Sequence, residues 1–103
     1  ALGDPVAAGD LPDLERSLPA VRVTLRKGES VIDHGVGANV LGSPLLALGH
    51  LVRLLAATRA HALKHGEIIT TGTITDAHPV NAGEDWHTEF SGIALAGLDV
   101  TFA

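Results

Sequence analysis

A threonine-rich turn offers the most concentrated set of small hydrogen-bond donors in this sequence. Thr70, Thr71, Gly72 and Thr73 follow one another at the end of a predicted β-branched strand. A turn in this position exposes hydroxyls and backbone N–H groups at a sheet edge, where they can bind a carboxylate. Taken alone, the same residues favour a structural turn over a binding site. A carboxylate site at the turn is therefore a hypothesis that needs further support.

A glycine-rich stretch precedes the middle of the chain and invites a different interpretation. Gly35 and Gly37 follow a predicted strand, as the glycines of a dinucleotide-binding loop do. However, Val40 occupies the position of the third glycine, and the next helix begins only at Pro44. The spacing does not fit a dinucleotide site. The glycines instead indicate a loop with unusual backbone angles.

A long apolar helix is predicted to begin at Pro44, whose ring presets the helical φ angle. Ser43 could be considered a nucleophile, but it lacks a Gly-x-Ser-x-Gly context, and its position before Pro44 is that of an N-cap. Apolar residues recur along the helix at a spacing of three and four: Leu45, Leu48, Val52 and Leu55, widened by Leu46, Leu51 and Leu54. This pattern predicts a helix buried on most of its circumference.

Two further groups of polar residues have the types that chemistry requires. His61 and His65 stand four residues apart, a spacing at which two imidazoles can share a zinc ion. The helix is predicted to end near them, and no third ligand lies nearby in the sequence, so a zinc site is not favoured. Glu84 and Asp85 form a carboxylate pair after a glycine, which indicates a solvated turn.

Composition restricts the classes of protein that the chain can represent. It has 103 residues, with twelve acidic and seven basic side chains, a net charge of -5 and no cysteine. The length predicts one domain over residues 1–103, with residues 1–20 as an extended leading segment. Scattered basic residues argue against nucleic acid, and the lack of cysteine excludes thiolate metal sites. No uninterrupted apolar run approaches the ~20 residues of a membrane helix, so we expect a cytoplasmic protein without membrane contact.

Alternating apolar residues predict five strands around the helix, in the order β-β-α-β-β-β. The first two strands form a hairpin that turns at residues 27–30, and residues 73–83 form a long loop. The predicted strands are residues 21–25, 31–34, 67–71, 85–90 and 98–102. The expected fold class is α+β, made mainly of β structure.

Two motifs taken together resemble a known family. The first, GVGANVLGSPLLAL, begins at Gly35, and the second, LKHGEIITTGT, begins at Leu63. They are followed by Pro79 and by a glycine-punctuated hairpin that ends near Phe102. In this order, over about residues 21–102, they resemble the C-terminal part of the 2-keto-4-pentenoate hydratases of the fumarylacetoacetate hydrolase superfamily. Their joint occurrence is more specific than either motif alone.

The resemblance implies a mixed β-sandwich or roll with one long buried helix, and a homo-oligomeric enzyme of aromatic catabolism. The hydratases are lyases that bind 2-oxo or 2-hydroxydienoic acids at a divalent metal, Mg²⁺ or Mn²⁺, which stabilises an enolate. Sister enzymes decarboxylate 4-oxalocrotonate or hydrolyse acylpyruvates. By resemblance, Thr71, Gly72 and Thr73 contact the substrate carboxylate, and Asn39 and Ser43 lie in the loop that faces the site.

The chain departs from this family in its acidic residues. The family's metal-binding glutamates lie upstream of the matched part, in a Glu-x-Glu motif that this sequence lacks. We therefore predict no metal ligand in the chain and assign no catalytic residue. Two interpretations remain open. The chain is either the C-terminal part of a longer hydratase-like enzyme, or a truncated relative that binds small acids or supports assembly without catalysis.

Overall fold

The computed structural model describes residues 1–103 and is built on one antiparallel sheet of four strands in the order β2-β1-β3-β4. The strands are β1 (Arg22–Lys27), β2 (Ser30–Val36), β3 (Asp85–Ser91) and β4 (Asp99–Thr101). The helices are α1 (Leu14–Ala20) and α2 (Pro44–Ala57), with short 3-10 turns at Ala8–Asp10 and Gly37–Asn39. The predicted α+β class is confirmed, as are the hairpin and the last two strands.

The central strand β1 gives the sheet two different faces. It pairs with β2 on one side and with β3 on the other, so its alternate side chains point to opposite faces. Val23 and Leu25 lie on the face that carries the small core, and Val23 is buried. Arg22, Thr24 and Arg26 lie on the opposite, polar face. The candidate site is built on strand β2 of this sheet.

The predicted strand at residues 67–71 does not form, and this prediction was wrong. These residues have no partner in the sheet, and Ile68 is 67% exposed. The β propensity of branched residues reflects packing against neighbouring strands more than an intrinsic backbone preference. Nothing in these 103 residues runs beside the segment to provide that packing.

Helix α2 begins where the sequence predicts, but its burial differs from the prediction. The Ser43 hydroxyl accepts a hydrogen bond from the backbone N–H of Leu45 at 3.2 Å, which confirms the N-cap. No residue of α2 is buried, however, and Leu46 and Leu54 are more than half exposed. The prediction of a helix buried on most of its circumference was wrong for this chain, because no element covers its outer side.

The dimensions of the molecule indicate a core that is too small for its length. A folded monomer of 10.6 kDa exposes about 5,500 Å², whereas this chain exposes 7431 Å². Its radius of gyration is 15.3 Å, against about 13 Å for a compact domain of this length. Only 7 of 103 residues are buried, which leaves the apolar side chains of α2 without cover.

One stretch, Gly37–Ala57, has the length and apolar composition of a membrane-crossing helix, contrary to the sequence expectation. The regular helix within it has 14 residues and is about 21 Å long, short of the ~30 Å hydrocarbon layer. Length and composition are weak evidence for a membrane span, because the packed helix of a globular domain passes the same test.

We expect the chain on its own to self-associate through the exposed face of α2, because uncovered apolar surface seeks a partner. Leu54→Gln should increase the monomer fraction in light scattering without lowering the melting temperature, since Leu54 is already 59% exposed. The matched control is Val31→Thr, which changes an exposed apolar residue on β2, away from the helix. A monomeric parent chain with a cooperative melt at ordinary mesophile temperature would contradict this expectation.

Candidate carboxylate-binding site

The loop of residues 72–78 packs against β2 on the sheet face that carries Val23, and two features of β2 and the turn after it allow this approach. The Asn39 side-chain amide donates a hydrogen bond to the Ile74 carbonyl at 2.9 Å. Gly35 has no side chain, and a Cβ at this position would collide with the same Ile74 carbonyl. The glycine is required here for close backbone contact, in keeping with the loop predicted from the sequence.

Asp33 provides the second attachment of the loop to β2. Its carboxylate accepts hydrogen bonds from the backbone N–H of Asp76 at 3.2 Å and from His78 Nε2 at 2.9 Å, both in the loop. The backbone N–H of His34 donates a third at 2.7 Å. The His78 hydrogen bond, more than the backbone donors, holds the pKa of Asp33 below its usual range, while partial burial opposes the shift. The charged carboxylate is therefore the form that anchors the loop.

The attached loop, β2 and the turn after β2 line an open polar cavity of about 410 Å³, which we call the Thr73 cavity. Its lining consists of Asp33, His34, Asn39 and residues 73–76. On the other side of the loop, Gly72 and residues 73–75 line an apolar cavity of about 310 Å³, together with Leu25, Phe90 and Leu98. The loop thus separates a space suited to polar groups from a space suited to a carbon chain.

The structure brings together two of the five residues predicted for the site. Asn39 and Thr73, which are 34 positions apart in the sequence, line the same cavity. Gly72 lies behind the turn with φ +137, where an added Cβ would be 3.3 Å from Val40 Cγ1. Thr71 is half-buried and lies outside the lining of the Thr73 cavity.

Ser43, the fifth predicted residue, has a structural position. It is 4% exposed, and its hydroxyl caps α2. It does not contribute to the lining of the Thr73 cavity. Its appearance in the matched motif is explained by its role at the start of the helix.

Asp33, His34 and His78 were not predicted as part of the site. Asp33 and His78 are 45 positions apart and belong to no motif, so no local spacing signals their contact. Only the alternation of β2, which sets Asp33 and His34 on opposite faces near the strand end, could have drawn attention to them.

A second set of contacts, centred on Trp86 and Glu84, positions the His78 ring. This ring is stacked on Trp86, with centroids 6.4 Å apart. The Trp86 Nε1–H group donates to Glu84 at 2.9 Å, and Asn81 donates to the same carboxylate through both its backbone and its side chain. Glu84 was predicted to lie in a solvated turn, but it is half-buried and bonded. The Trp86 hydrogen bond, followed by those of Asn81, lowers the pKa of Glu84 to about 2.

Because the pKa of Glu84 is lower in the folded chain than in the unfolded chain, its contribution to stability is present above its usual pKa of 4.5 and disappears as the pH falls toward 2. Glu84→Gln should therefore lower the urea midpoint at pH 6. The difference in midpoint between the variant and the parent chain should become smaller as the pH falls from about 5 to about 2. Glu15→Gln, at an exposed position on α1, is the control. If Glu84→Gln lowers the urea midpoint by the same amount at pH 6 and at pH 2, the lowered pKa of Glu84 is contradicted.

Comparison of the structure with solved proteins defines the class of fold. The chain matches 4-oxalocrotonate decarboxylase from Pseudomonas putida G7, solved in complex with calcium and acetate, with a TM-score of 0.74 and 35% identity. The same enzyme in complex with magnesium and adipate gives a TM-score of 0.75 at the same identity. Each match covers 86% of this chain and 33% of the enzyme. The fold is therefore that of part of a fumarylacetoacetate hydrolase-type enzyme.

Comparison of the sequence leads to the same enzymes. No family model matches the sequence. The 4-oxalocrotonate decarboxylase of Pseudomonas putida is 34% identical over 89 residues, which are 85% of this chain and 33% of the relative. That of Pseudomonas sp. strain CF600 is 36% identical over 76 residues, or 74% of this chain and 28% of the relative. These homologues are decarboxylases of the superfamily that the two motifs indicated, and the chain spans about a third of their length.

The residues of this chain do not fit a metal ion. No three histidine, aspartate or glutamate side chains are grouped closely enough to hold one. His61 Nε2 lies 3.7 Å from the carboxylate of Glu67, which is a pairwise contact and not a ligand set. This chain therefore has no group of side chains that could hold a divalent ion like those bound in the solved decarboxylase.

Proposed function

We propose that this chain forms the carboxylate-binding wall in the active site of an enzyme of the fumarylacetoacetate hydrolase superfamily. The substrate class is a small 2-oxo or 2-hydroxydienoic acid. The observation that carries the proposal is the meeting of Asn39 and Thr73, one from each recognised motif, at one cavity. Since the chain covers a third of its relatives, the activity of any whole protein, its cytoplasmic location and its homo-oligomeric assembly are part of the same proposal.

Within this wall, Thr73 is the residue proposed to contact the substrate, and Asn39 positions the loop. Thr73 is exposed, with a hydroxyl and a neighbouring backbone that can donate to a carboxylate. The Asn39 amide is already engaged with Ile74 at 2.9 Å, so its contribution is to hold the turn in place. The carboxylates of Asp33 and Asp76 line the same cavity and repel an acid ligand. The three hydrogen bonds of Asp33 engage its oxygens but leave it charged, so the donors at Thr73 must outweigh this repulsion.

The apolar cavity behind the loop suits the carbon chain of such an acid. Thr73 also lines this apolar cavity, so an acid whose hydrocarbon part lies against Phe90 and Leu98 can place its carboxylate at Thr73 on the same side of the loop. Small-ligand sites commonly combine an apolar lining with a few placed polar groups. This arrangement supports binding of a short unsaturated acid rather than a purely polar anion.

Decarboxylation is the reaction favoured for the whole enzyme, because the homologous proteins are 4-oxalocrotonate decarboxylases. Hydration is the second candidate, since the two motifs resemble those of the hydratases. Both reactions pass through an enolate of a 2-oxo acid, and a wall that holds the carboxylate serves either. The alternative is a non-catalytic binding module. In that case, a longer protein that contains this chain would bind such acids without turning them over.

Thr73→Val tests the proposed contact, because it keeps the shape of the side chain and removes the hydroxyl. Loss of one hydrogen bond to a charged group costs about 1.5 to 3 kcal/mol, or roughly ten- to a hundredfold in affinity. We expect this weakening of adipate binding in calorimetry on the chain, and a similar loss in kcat/KM in the complete enzyme. The melting temperature should barely change.

The matched control is Thr70→Val, the same substitution three residues earlier and outside the lining of the cavity. It should leave the affinity unchanged. If Thr73 only closes a turn, Thr73→Val will lower the melting temperature and leave the affinity of the folded chain unaltered. That result would remove Thr73 from the site.

A further expectation concerns metal binding by the 103-residue chain. Mg²⁺ requires several oxygen ligands that converge on one point, and this chain has no such group. If the complete enzyme uses a divalent ion, as the solved relative binds one, its ligands lie outside these residues. Calorimetry should detect no binding of Mg²⁺ at micromolar concentration, and tight binding would show that a ligand set has been overlooked.

A further inference from the structure

His78 is the last residue of the attached loop and contacts the sheet at two points. Its Nε2 atom lies 2.9 Å from the carboxylate of Asp33, and its ring stacks on Trp86. The pairing register places Asp33 and Trp86 opposite two residues of β1, Leu25 and Lys27, whose side chains share the core face. The imidazole therefore lies on the face of the sheet against which the loop packs.

The charged groups around His78 come from β2, the loop, β1 and the start of β3. The carboxylate of Asp33 on β2 is the one bonded to its ring, and the backbone N–H of Asp76 in the loop donates to the same carboxylate at 3.2 Å. Lys27 on β1 and Glu84, just before β3, lie 3.6 Å apart, so their charges offset each other. The charge closest to the imidazole is therefore that of Asp33.

Protonation of the imidazole changes the net charge beside the Thr73 cavity. The hydrogen bond from His78, together with those from two backbone N–H groups, holds the pKa of Asp33 below its usual range, so this carboxylate stays ionised in mild acid. A histidine side chain in water becomes charged as the pH falls through about 6.5. A charged imidazole balances Asp33, whereas a neutral imidazole leaves Asp33 and Asp76 as two negative charges in the cavity lining.

We propose that His78 is a positioning residue that acts through Asp33 and makes the binding of an acid at Thr73 depend on pH, with tighter binding where the imidazole is charged. This inference rests on the proposed function, since the acid is placed at Thr73. It goes further in assigning control of the site by protons to a residue outside both recognised motifs and outside the lining of the cavity. In either charge state the hydrogen bond to Asp33 keeps the loop on β2.

The test measures the binding of 2-oxopentanoate by NMR titration of the backbone amide signal of Thr73, at pH 5.5 and at pH 8. The carboxyl group of this 2-oxo acid is ionised at both pH values, so only the protein changes its charge. A unit charge several ångströms from a bound carboxylate changes its affinity by roughly three- to tenfold at the effective permittivity of a protein surface. The parent chain should therefore bind the acid more tightly at pH 5.5.

His78→Gln keeps a hydrogen-bond donor for Asp33 but cannot become charged. The gain in affinity between pH 8 and pH 5.5 should be roughly three- to tenfold larger for the parent chain than for this variant. His34, which also lines the cavity, titrates in both proteins, so its contribution cancels in the comparison. If His78 has only a structural role, His78→Gln will instead weaken binding by the same factor at both pH values, and the proposal is overturned.

The matched control is His61→Gln. His61 also lies near a carboxylate, that of Glu67 at 3.7 Å, but neither residue lines the Thr73 cavity. This variant should retain the full pH dependence of the parent chain. The NMR spectrum of each variant also reports whether it is folded at both pH values.

A second measurement follows the proton on His78 itself. An acid that binds more tightly to the protonated protein must, by linkage, strengthen the binding of the proton by the same factor. Saturation with 2-oxopentanoate should therefore raise the midpoint of the His78 ring-proton titration by roughly 0.5 to 1 pH unit and leave that of His61 in place. An unmoved His78 midpoint contradicts the proposal.

The remaining outcomes separate the two proposals. Thr73-dependent binding with the same gain at pH 5.5 in the parent chain and in His78→Gln overturns the assignment of His78 and keeps the proposed function. If the gain depends on His78 but Thr73→Val has no effect, the contact at Thr73 fails while the role of His78 stands. Binding at neither pH overturns both.

Discussion

The attachment of a single loop to the edge strand β2 is the interaction on which the rest of the site depends. Residues 72–78 have no regular secondary structure, so nothing internal to them fixes their conformation. Their position comes from the Asn39 amide, the Asp33 carboxylate and the absence of a side chain at Gly35. Without these, the threonine hydroxyls would move freely in solvent. The site is therefore created by a few polar contacts and one close approach, and not by a large core.

The two faces of the sheet differ in their side chains. One face carries Val23 and the small core, against which the loop packs. The other carries charged and polar side chains, of which the Arg26 and Glu89 pair is internal and Arg22 is free. Strand β2 is an edge strand of the sheet, and the loop covers it on the core face. The small area of the core and the uncovered side of α2 fit a chain that corresponds to a third of its homologues.

Features set by local rules could be predicted from the sequence, and features set by distant partners could not. The hairpin follows from alternation and a tight turn, and the start of α2 follows from Ser43 and Pro44. The strand at residues 67–71 and the burial of α2 require neighbours that these 103 residues do not supply. In the site, Asn39 and Thr73 were found through the two motifs. The contact of Asp33 with His78 has no motif, because it joins separate elements across the fold.

The stacking of Trp86 on His78 also has an optical consequence. The chain contains one tryptophan and no tyrosine, so its near-ultraviolet emission comes from a single indole. That indole touches the imidazole that joins the loop to Asp33, and it is 8% exposed. Detachment of the loop would hydrate the ring and remove the stacked histidine. The protein thus contains an intrinsic fluorescent probe beside the His78 end of the loop of residues 72–78, and no label is needed to follow this loop in solution.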